Sequence, residues 1–523
     1  MTHGLRFLVS LLVLLCGAWP AGAMQGAPLE RGTAITDPLA LRELDRGKFG
    51  LGRILVPARS ADAPIADGAL FALPSMAPVR SAIDAEFERY IARHKAAHPN
   101  ESLGIADSND LQLFDLAPLY SDASRFVLSG IVNRMDRAYV APETCGEIRL
   151  IYRLIPTNVT QAADSLASPR LPMTLNVVLK ARGDHAVGAN GAAVTCTEVA
   201  RRWLAAGDLP LTGAALAEKL AAPDGPLGLI APQDIDRIET NIQIVHALKS
   251  PTRDFRTDYL LKVFNYNAQS QTFEETPLEN QIDRARLLAD PKLARAFKAW
   301  LLDPQHFTEL DRGTIVIPPE YLASGVIAET PVGFSTSRLQ PEFGLVQGDD
   351  TKIDPVFSNQ DVVTALQKAA ERSGPLQNIR SLAGFERRLN DVTCAGCHQT
   401  RGIGGFHFPG VDWLAPNPSN ATIVPGSPHF FGDQARRRDI LTALRDGKTP
   451  DYSRGFSSRP QLRGSSELAG TEYGDGWGAH CYAPQAGAAD NDRSFRSWSC
   501  AEGLACQIVD KASRMGMCFV KTR

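Results

Sequence analysis

Apolar and polar residues alternate along much of the chain between residues 125 and 350. A period of two predicts β-strands, and it recurs at 148–154, 173–179 and 238–244, beside a continuous apolar run at 126–132. Segments 259–266 and 272–274 flank a short polar turn and predict a hairpin. Because polar residues occupy the intervening positions, the pattern favours antiparallel strands with one face exposed to water.

Helical spacing accompanies these strands. Val79, Ile83, Phe87 and Tyr90 follow one another at helical intervals and predict a core-packing helix that ends before Pro99. Further helices are predicted at 197–206 and 291–302, the second capped by Asp290. Residues 24 to about 75 are rich in Ala, Pro and Gly, which predicts an extended arm or a loosely structured start. We therefore assign 24–350 to a large strand-rich α+β domain.

The segment 351–477 has a mainly helical pattern. Asn359 is the predicted cap of a helix that ends at Gly374, and 433–445 predicts a later helix. A glycine-rich stretch at 402–410 predicts an irregular loop. A second apolar series at helical spacing lies between the helix that ends at Gly374 and this loop, and it comprises Ile379, Leu382, Phe385 and Leu389.

The last segment, 478–523, is rich in cysteine. Its four cysteines predict two disulfides in a small module, with three possible connectivities, and they are Cys481, Cys500, Cys506 and Cys518. A structural knot and a small binding module both fit this pattern. Zinc fits less well, because the spacing lacks a C-x-x-C pair.

Residues 1–23 have the pattern of a cleaved secretory signal: Arg6, then an apolar stretch at 7–15, then small residues before Met24. An uncleaved anchor and lipidation at Cys16 are the alternatives. No later stretch has about 18 consecutive apolar residues, so no membrane span is predicted in the mature chain. A bacterial periplasmic or secreted location follows. Export permits disulfides, and Cys145 and Cys196 are predicted to pair.

Composition adds limits to this picture. The chain has 523 residues, a net charge of −3 and 44% apolar residues. Such values are ordinary for globular domains, two to four in number at this length. The near balance of charge gives no reason to expect nucleic acid or an anionic membrane as a partner.

The chemically distinctive stretch is Cys394-Ala395-Gly396-Cys397-His398. Two thiols at this spacing can each form a thioether with a haem vinyl group, and the adjacent imidazole can bind the iron. In these residues the chain resembles c-type cytochromes. The resemblance implies one covalent haem c, anchored by Cys394 and Cys397, with His398 as the proximal ligand. A thioredoxin-like redox disulfide and a purely structural disulfide are the alternatives for the two cysteines.

A sixth iron ligand is proposed from the following loop. His407, flanked by two phenylalanines, is the first candidate for binding the metal. His429, His480 and an open coordination position remain as alternatives. Nearby arginines could pair with haem propionates or lie exposed, namely Arg387, Arg388 and Arg401. Residues 436–438, all arginine, could dock an acidic redox partner or form a solvated helix face.

These patterns predict an exported protein carrying one haem c for electron transfer or for redox or ligand sensing, with an unidentified redox partner. No catalytic residue is assigned, although a haem-dependent oxidoreductase is compatible with the motif. The sequence lacks the G-x-S-x-G, H-E-x-x-H and P-loop motifs. The alternative is a haem-free secreted binding protein, stapled by disulfides, in which Cys394 and Cys397 pair with each other.

Overall fold

The computed structural model describes residues 32–56, 67–106, 108–157, 171–182, 194–246, 256–331, 356–380, 382–396, 433–454, 480–482, 504–507 and 515–520. Several predictions concern positions outside the described residues: the signal segment 1–23 and Cys397, His398, Arg401, His407 and His429.

One ten-stranded sheet organises the described chain. Its strands are β1 (Ala34–Ile35), β2 (Leu103–Gly104), β3 (Leu111–Gln112), β4 (Ser124–Arg134), β5 (Glu147–Pro156), β6 (Met173–Lys180), β7 (Ile235–His246), β8 (Arg256–Asn267), β9 (Thr272–Thr276) and β10 (Gly325–Pro331). The order runs β1-β4-β5-β6-β7-β8, with β3 and β2 beside the end of β7 and with β9 and β10 on the outer edge of β8. All pairs are antiparallel except β2 with β3.

The first face of the sheet carries the main apolar core. Alternate residues such as Leu150, Leu175 and Ile242 point into it and are almost completely buried. Six helices accompany this core: α1 (Pro38–Arg46), α2 (Leu51–Leu55), α3 (Asp67–Leu70), α4 (Ala77–Ala97), α5 (Cys196–Gly207) and α6 (Gly213–Ala221). The period of two in each strand thus provides one mainly apolar face.

The second face lies beneath another group of helices. They are α7 (Arg284–Ala289), α8 (Pro291–Leu301), α9 (Pro304–Arg312), α10 (Asn359–Ser373) and α11 (Leu382–Asp391). Their own apolar core contains the rings of Phe297, Phe307, Phe357 and Phe385. This core draws on residues from both sides of position 350, where the sequence predicts a domain boundary.

Two further parts complete the described chain. Helix α12 (Gln434–Arg445) packs against α5 and buries Leu441 in the main core. A separate three-stranded sheet consists of β11 (His480–Tyr482), β12 (Leu504–Gln507) and β13 (Met515–Val520). Cys506 in β12 is disulfide-bonded, and His480 lies in β11.

Mixed α+β structure is confirmed, as are most individual elements. The predicted strands at 126–132, 148–154, 173–179 and 238–244 and the hairpin after 259 all form. Asp290 caps α8 as predicted, since its carboxylate accepts hydrogen bonds from the backbone nitrogens of Lys292 and Leu293 at 2.9 and 3.1 Å.

Two local predictions are wrong. The start of the chain is not a loose arm where it is described: Asp37 caps α1, and Leu41 and Leu44 are buried. Short apolar segments between Pro and Gly form helices there because the core stabilises them. At α10 the cap is Ser358, not Asn359, because its hydroxyl accepts from Asp361 N and the Asp361 carboxylate binds back, forming a capping box.

Helix α4 packs on the sheet through polar as well as apolar side chains. The Tyr90 hydroxyl donates to Asp258 Oδ2 at 2.8 Å, and His246 Nε2 lies 2.8 Å from the same oxygen. All three residues are buried. Tyr90, expected in the apolar core, therefore also joins a buried polar cluster, and each polar atom keeps a partner as burial requires.

The exposed second face predicted for the sheet is also wrong. On this face Arg153 is 0% exposed and Gln243 is 1% exposed. Alternation of polar with apolar residues ordinarily marks a water-exposed face. Here the polar positions are buried or half-buried instead, and the next section describes the ion pairs made by the charged residues at one end of the face.

The predicted disulfide between Cys145 and Cys196 is confirmed. It joins the chain just before β5 to the first turn of α5 and spans 51 residues. Closing a loop of this length stabilises the folded state by about 4 kcal/mol in the chain-entropy model. We expect the Cys145→Ala/Cys196→Ala variant to lose about that much unfolding free energy, measured by urea denaturation. An unchanged urea midpoint would contradict the assignment.

Candidate functional site

The second face of the sheet is a polar surface formed by strands β5 to β8. On adjacent strands, Asn176 lies opposite Glu239 and Thr174 lies opposite Asn241. Because residues two apart share a face, all four side chains lie on this surface. We call it the polar floor.

Ion pairs hold one end of the polar floor together. Glu147 accepts from Arg237 at 2.9 Å, from Arg149 at 3.0 Å and from Arg137 at 3.2 Å. Glu239 accepts from Arg237 at 3.0 Å and from Arg149 at 3.2 Å. Each guanidinium therefore bridges strands, and every cation among them has a carboxylate partner.

The electrostatic effect on Glu147 is large. Burial alone would raise its pKa, but the guanidiniums of Arg137, Arg237 and Arg149 outweigh burial and hold the pKa well below its usual range. The same balance lowers the pKa of Glu239. Both carboxyls are therefore ionised at neutral pH, and the network is a fixed set of charges.

A cavity of about 520 Å³ separates the polar floor from the helical layer. Away from the floor its lining has an apolar part, which comprises Leu278, Val316, Pro318, Leu322 and Val392, and a polar part that includes Glu279, Arg388 and Asp391. A volume of this order is typical of small-molecule and cofactor sites. The space is therefore bounded by the polar floor and by an apolar wall that has charged residues beside it.

Cys394, the first cysteine of the haem motif, lines this cavity. Helix α11 ends at Asp391, and the chain turns back into helical geometry at 394–396. The Thr393 hydroxyl accepts from Gly396 N at 2.9 Å and fixes that turn. The Cys394 Sγ lies 3.7 Å from the backbone oxygen of Glu279, which is also at the cavity.

The two residues inside the motif are selected by packing. Ala395 is fully buried, contacts the cluster of Tyr259 and Ala328, and donates its backbone N–H to Gln281 at 2.9 Å. A Cβ added at Gly396 would lie 2.0 Å from the Asn390 oxygen, which no side chain could tolerate. The motif is thus seated against β8, β10 and the end of α11.

Arg388, a candidate for pairing with haem propionates, lies at the cavity and is 2% exposed. Its guanidinium donates to the backbone oxygens of Asp311 at 2.9 Å and Arg454 at 2.8 Å. Burial lowers its pKa to about 10, so it remains charged at neutral pH. The alternative of an exposed Arg388 is therefore wrong.

The basic run at 436–438 is not simply a solvated helix face. Arg436 donates to Asp136 at 2.8 Å and to Asp433 at 2.7 Å, and Arg437 donates to Asp433 at 2.8 Å. Burial would raise the pKa of Asp136, but Arg134, Arg437 and Arg436 hold it well below its usual range. These pairs attach α12 to the turn after β4.

The described part of the site fits a covalent haem in some respects. A motif cysteine faces a cavity of suitable size, Arg388 supplies a buried cation for a carboxylate, and one wall is apolar. The polar floor is the part that a porphyrin ring does not explain. Among the described residues, which omit Cys397 and His398, no group of three or more His, Cys, Asp or Glu is arranged to hold a metal.

Comparisons with protein-family models, with curated proteins and with solved structures gave no match to this chain. Within the described ranges, none of the helices combines the length and apolar character needed to cross a bilayer. The functional argument therefore depends on the residues themselves.

Sequence reasoning missed the residues of the floor. The alternation in β6 and β7 predicts that Asn176, Glu239 and Asn241 lie on a water-exposed face. A usable signal was present, because Glu147, Arg149 and Arg153 place alternating charges on one face of β5 while Arg237 and Glu239 repeat them on β7. Complementary charges at corresponding positions of nearby strands indicate ion pairs between strands.

The Glu147→Gln variant tests the network. The folded pKa of Glu147 is lowered, so its contribution is present above its unfolded pKa of about 4.3 and is lost as pH falls toward the folded pKa. We expect the variant to lose about 3 kcal/mol of unfolding free energy at pH 7, because three guanidiniums lose their shared partner. The difference from the parent should shrink below about pH 4.

Denaturant unfolding at several pH values measures this, with Glu371→Gln on the exposed side of α10 as the matched control. The control should follow the parent at every pH. A constant difference between Glu147→Gln and the parent from pH 7 to pH 3 would contradict the linkage.

Proposed function

We propose that the protein is exported and carries one covalent haem c, attached through Cys394 and Cys397, for electron transfer or for redox or ligand sensing. His398 is the proposed proximal ligand. The observation that carries the proposal is the position of Cys394 at a cavity of about 520 Å³ with an apolar wall. A structural cysteine needs no such space beside it.

The residues around this cavity have separate roles in the proposal. Packing of Ala395 and the close approach of Gly396 to Asn390 orient the motif, so that Cys394 is presented at a fixed place. Arg388 offers a charged group to a carboxylate of the cofactor. When bound, the haem would supply the one-electron chemistry, and the protein would supply its position and electrostatic surroundings.

Export to the periplasm or beyond, after cleavage of residues 1–23, belongs to the same proposal. The Cys145–Cys196 disulfide supports it, since such bonds persist in oxidising compartments. A cysteine-rich module at 478–523 is proposed as well, and the disulfide at Cys506 supports it. The redox partner remains to be identified.

The polar floor favours a second candidate, a haem-free secreted binding protein in which Cys394 and Cys397 form a disulfide. Polar groups that line a cavity can fix the orientation of a small polar ligand. In that case the disulfide between Cys394 and Cys397 would only stabilise the chain beside the cavity.

A haem assay separates the two candidates. In a bacterial host that matures haem c, we expect the full chain to give a haem c pyridine haemochrome spectrum and an intact mass increased by one haem. The Cys394→Ser/Cys397→Ser variant should give neither, because no thioether can form. The proposal is wrong if the intact mass of the parent equals that of the polypeptide without haem, in cells that attach haem to another c-type cytochrome.

His407 is the proposed sixth ligand. We expect His407→Ala to convert a low-spin spectrum to a high-spin one and to allow carbon monoxide to bind the ferrous form, because the distal position opens. His306→Ala, on α9, is the matched control and should leave the spectrum unchanged. If His407→Ala keeps the parent spectrum, His407 is not the ligand.

A further inference from the structure

Two carboxamide oxygens that line the cavity have no hydrogen-bond partner among the described residues. They are Oδ1 of Asn176 in β6 and Oδ1 of Asn241 in β7, and both atoms are buried. Both residues line the cavity. A buried acceptor without a partner costs about 1–3 kcal/mol, so such atoms call for a ligand that donates to them.

The orientation of Asn176 is fixed by its neighbour. Its Nδ2 donates to Glu239 Oε2 at 3.4 Å. An ionised carboxylate only accepts hydrogen bonds, so the amino group must face Glu239 and the carbonyl oxygen must be the free end. The atom of Asn176 that has no partner is therefore an acceptor. This holds whichever orientation is chosen for the amide groups of other residues.

The two acceptors form a spaced pair. Asn176 lies opposite Glu239, and Asn241 lies two residues further along β7, opposite Thr174. Diagonal neighbours of this kind have side chains roughly 7 Å apart. A molecule that satisfies both oxygens must carry at least two donors separated by a similar distance.

The charged groups on and beside the polar floor are already paired, so the floor itself favours a neutral ligand. Glu239 is paired with Arg149 and Arg237, Glu279 is paired with Arg137, and Lys262 is paired with Glu86 and Glu275. Because these charges are paired, the floor carries no excess charge that a ligand would have to neutralise. The facing wall of Leu278, Val316 and Pro318 suits an apolar ring face.

We propose that the cavity binds a neutral, polyhydroxylated ring molecule, of the sugar or cyclic polyol class, whose hydroxyls donate to Asn176 and Asn241 while its C–H face lies on the apolar wall. This deepens the proposed function: it names the ligand of the sensing or binding role. The proposed haem would occupy the same cavity, so the inference rests on the second, haem-free candidate of the proposed function.

Asn241→Leu tests it most cleanly, because Asn241 takes no part in the ion pairs of the floor. Leucine has nearly the same shape as asparagine but lacks the buried acceptor that has no partner. The ligand-free variant should therefore be at least as stable as the parent. Binding of the ligand should fall by tenfold or more. A variant that merely misfolds would show the opposite change in stability.

The measurement is calorimetric titration and thermal unfolding of the full chain with five probes: glucose, galactose, mannose, maltose and cellobiose. At least one should bind the parent and raise its melting temperature, with binding lost in Asn241→Leu and kept in the exposed amide control Gln360→Leu on α10. Glucosamine should bind more weakly than glucose, because the carboxylates of the floor are already paired with arginines.

The proposal is overturned if none of the neutral probes binds, if Asn241→Leu binds them as the parent does, or if a charged analogue binds more tightly. A less stable ligand-free Asn241→Leu would also overturn it, since this would show that ordered water already satisfies the oxygen. The haem spectrum of the same samples, recorded in parallel, keeps this outcome separate from the haem proposal.

Discussion

The structure depends on neutralising charge on the second face of its sheet. A sheet covered on both sides ordinarily has apolar residues on both faces, but here arginines and glutamates lie beneath the helical layer. Burying a charge is costly unless it is paired, and the pairs made by Glu147 and Glu239 meet that requirement. Because those pairs join strands β5 and β7, they also fix the floor over which the helical layer sits.

The same requirement explains why the layers do not close completely. Long paired side chains occupy one end of the floor, and shorter ones, Asn176 and Asn241, lie beside them. A cavity lies between these shorter side chains and the apolar residues Leu278, Val316 and Pro318. Cys394 reaches this cavity because Ala395 and Gly396 fix the motif against the sheet and α11. The ion-pair network and the position of Cys394 at the cavity thus both follow from how the polar floor and the helical layer pack together.

Local signals in the sequence predict most of the elements, because periodicity, caps and turns act over a few residues. Asp290 at the start of α8 and the disulfide partners Cys145 and Cys196 are examples. The role of the second face could not be predicted in this way. Alternation in β5 and β7 identifies two faces but does not say whether water or a helical layer covers the polar one, since that depends on α7 to α11, which are distant in sequence. The short helices near residue 40 form for a similarly non-local reason.

The account links a covalent cofactor to the cavity through Cys394. A crystal structure of the full chain, purified from a host that matures haem c, tests that link most directly. The account predicts porphyrin density joined to Cys394 Sγ at the cavity between the polar floor and the helical layer. Density for a Cys394–Cys397 disulfide, with no porphyrin at the cavity, would contradict it.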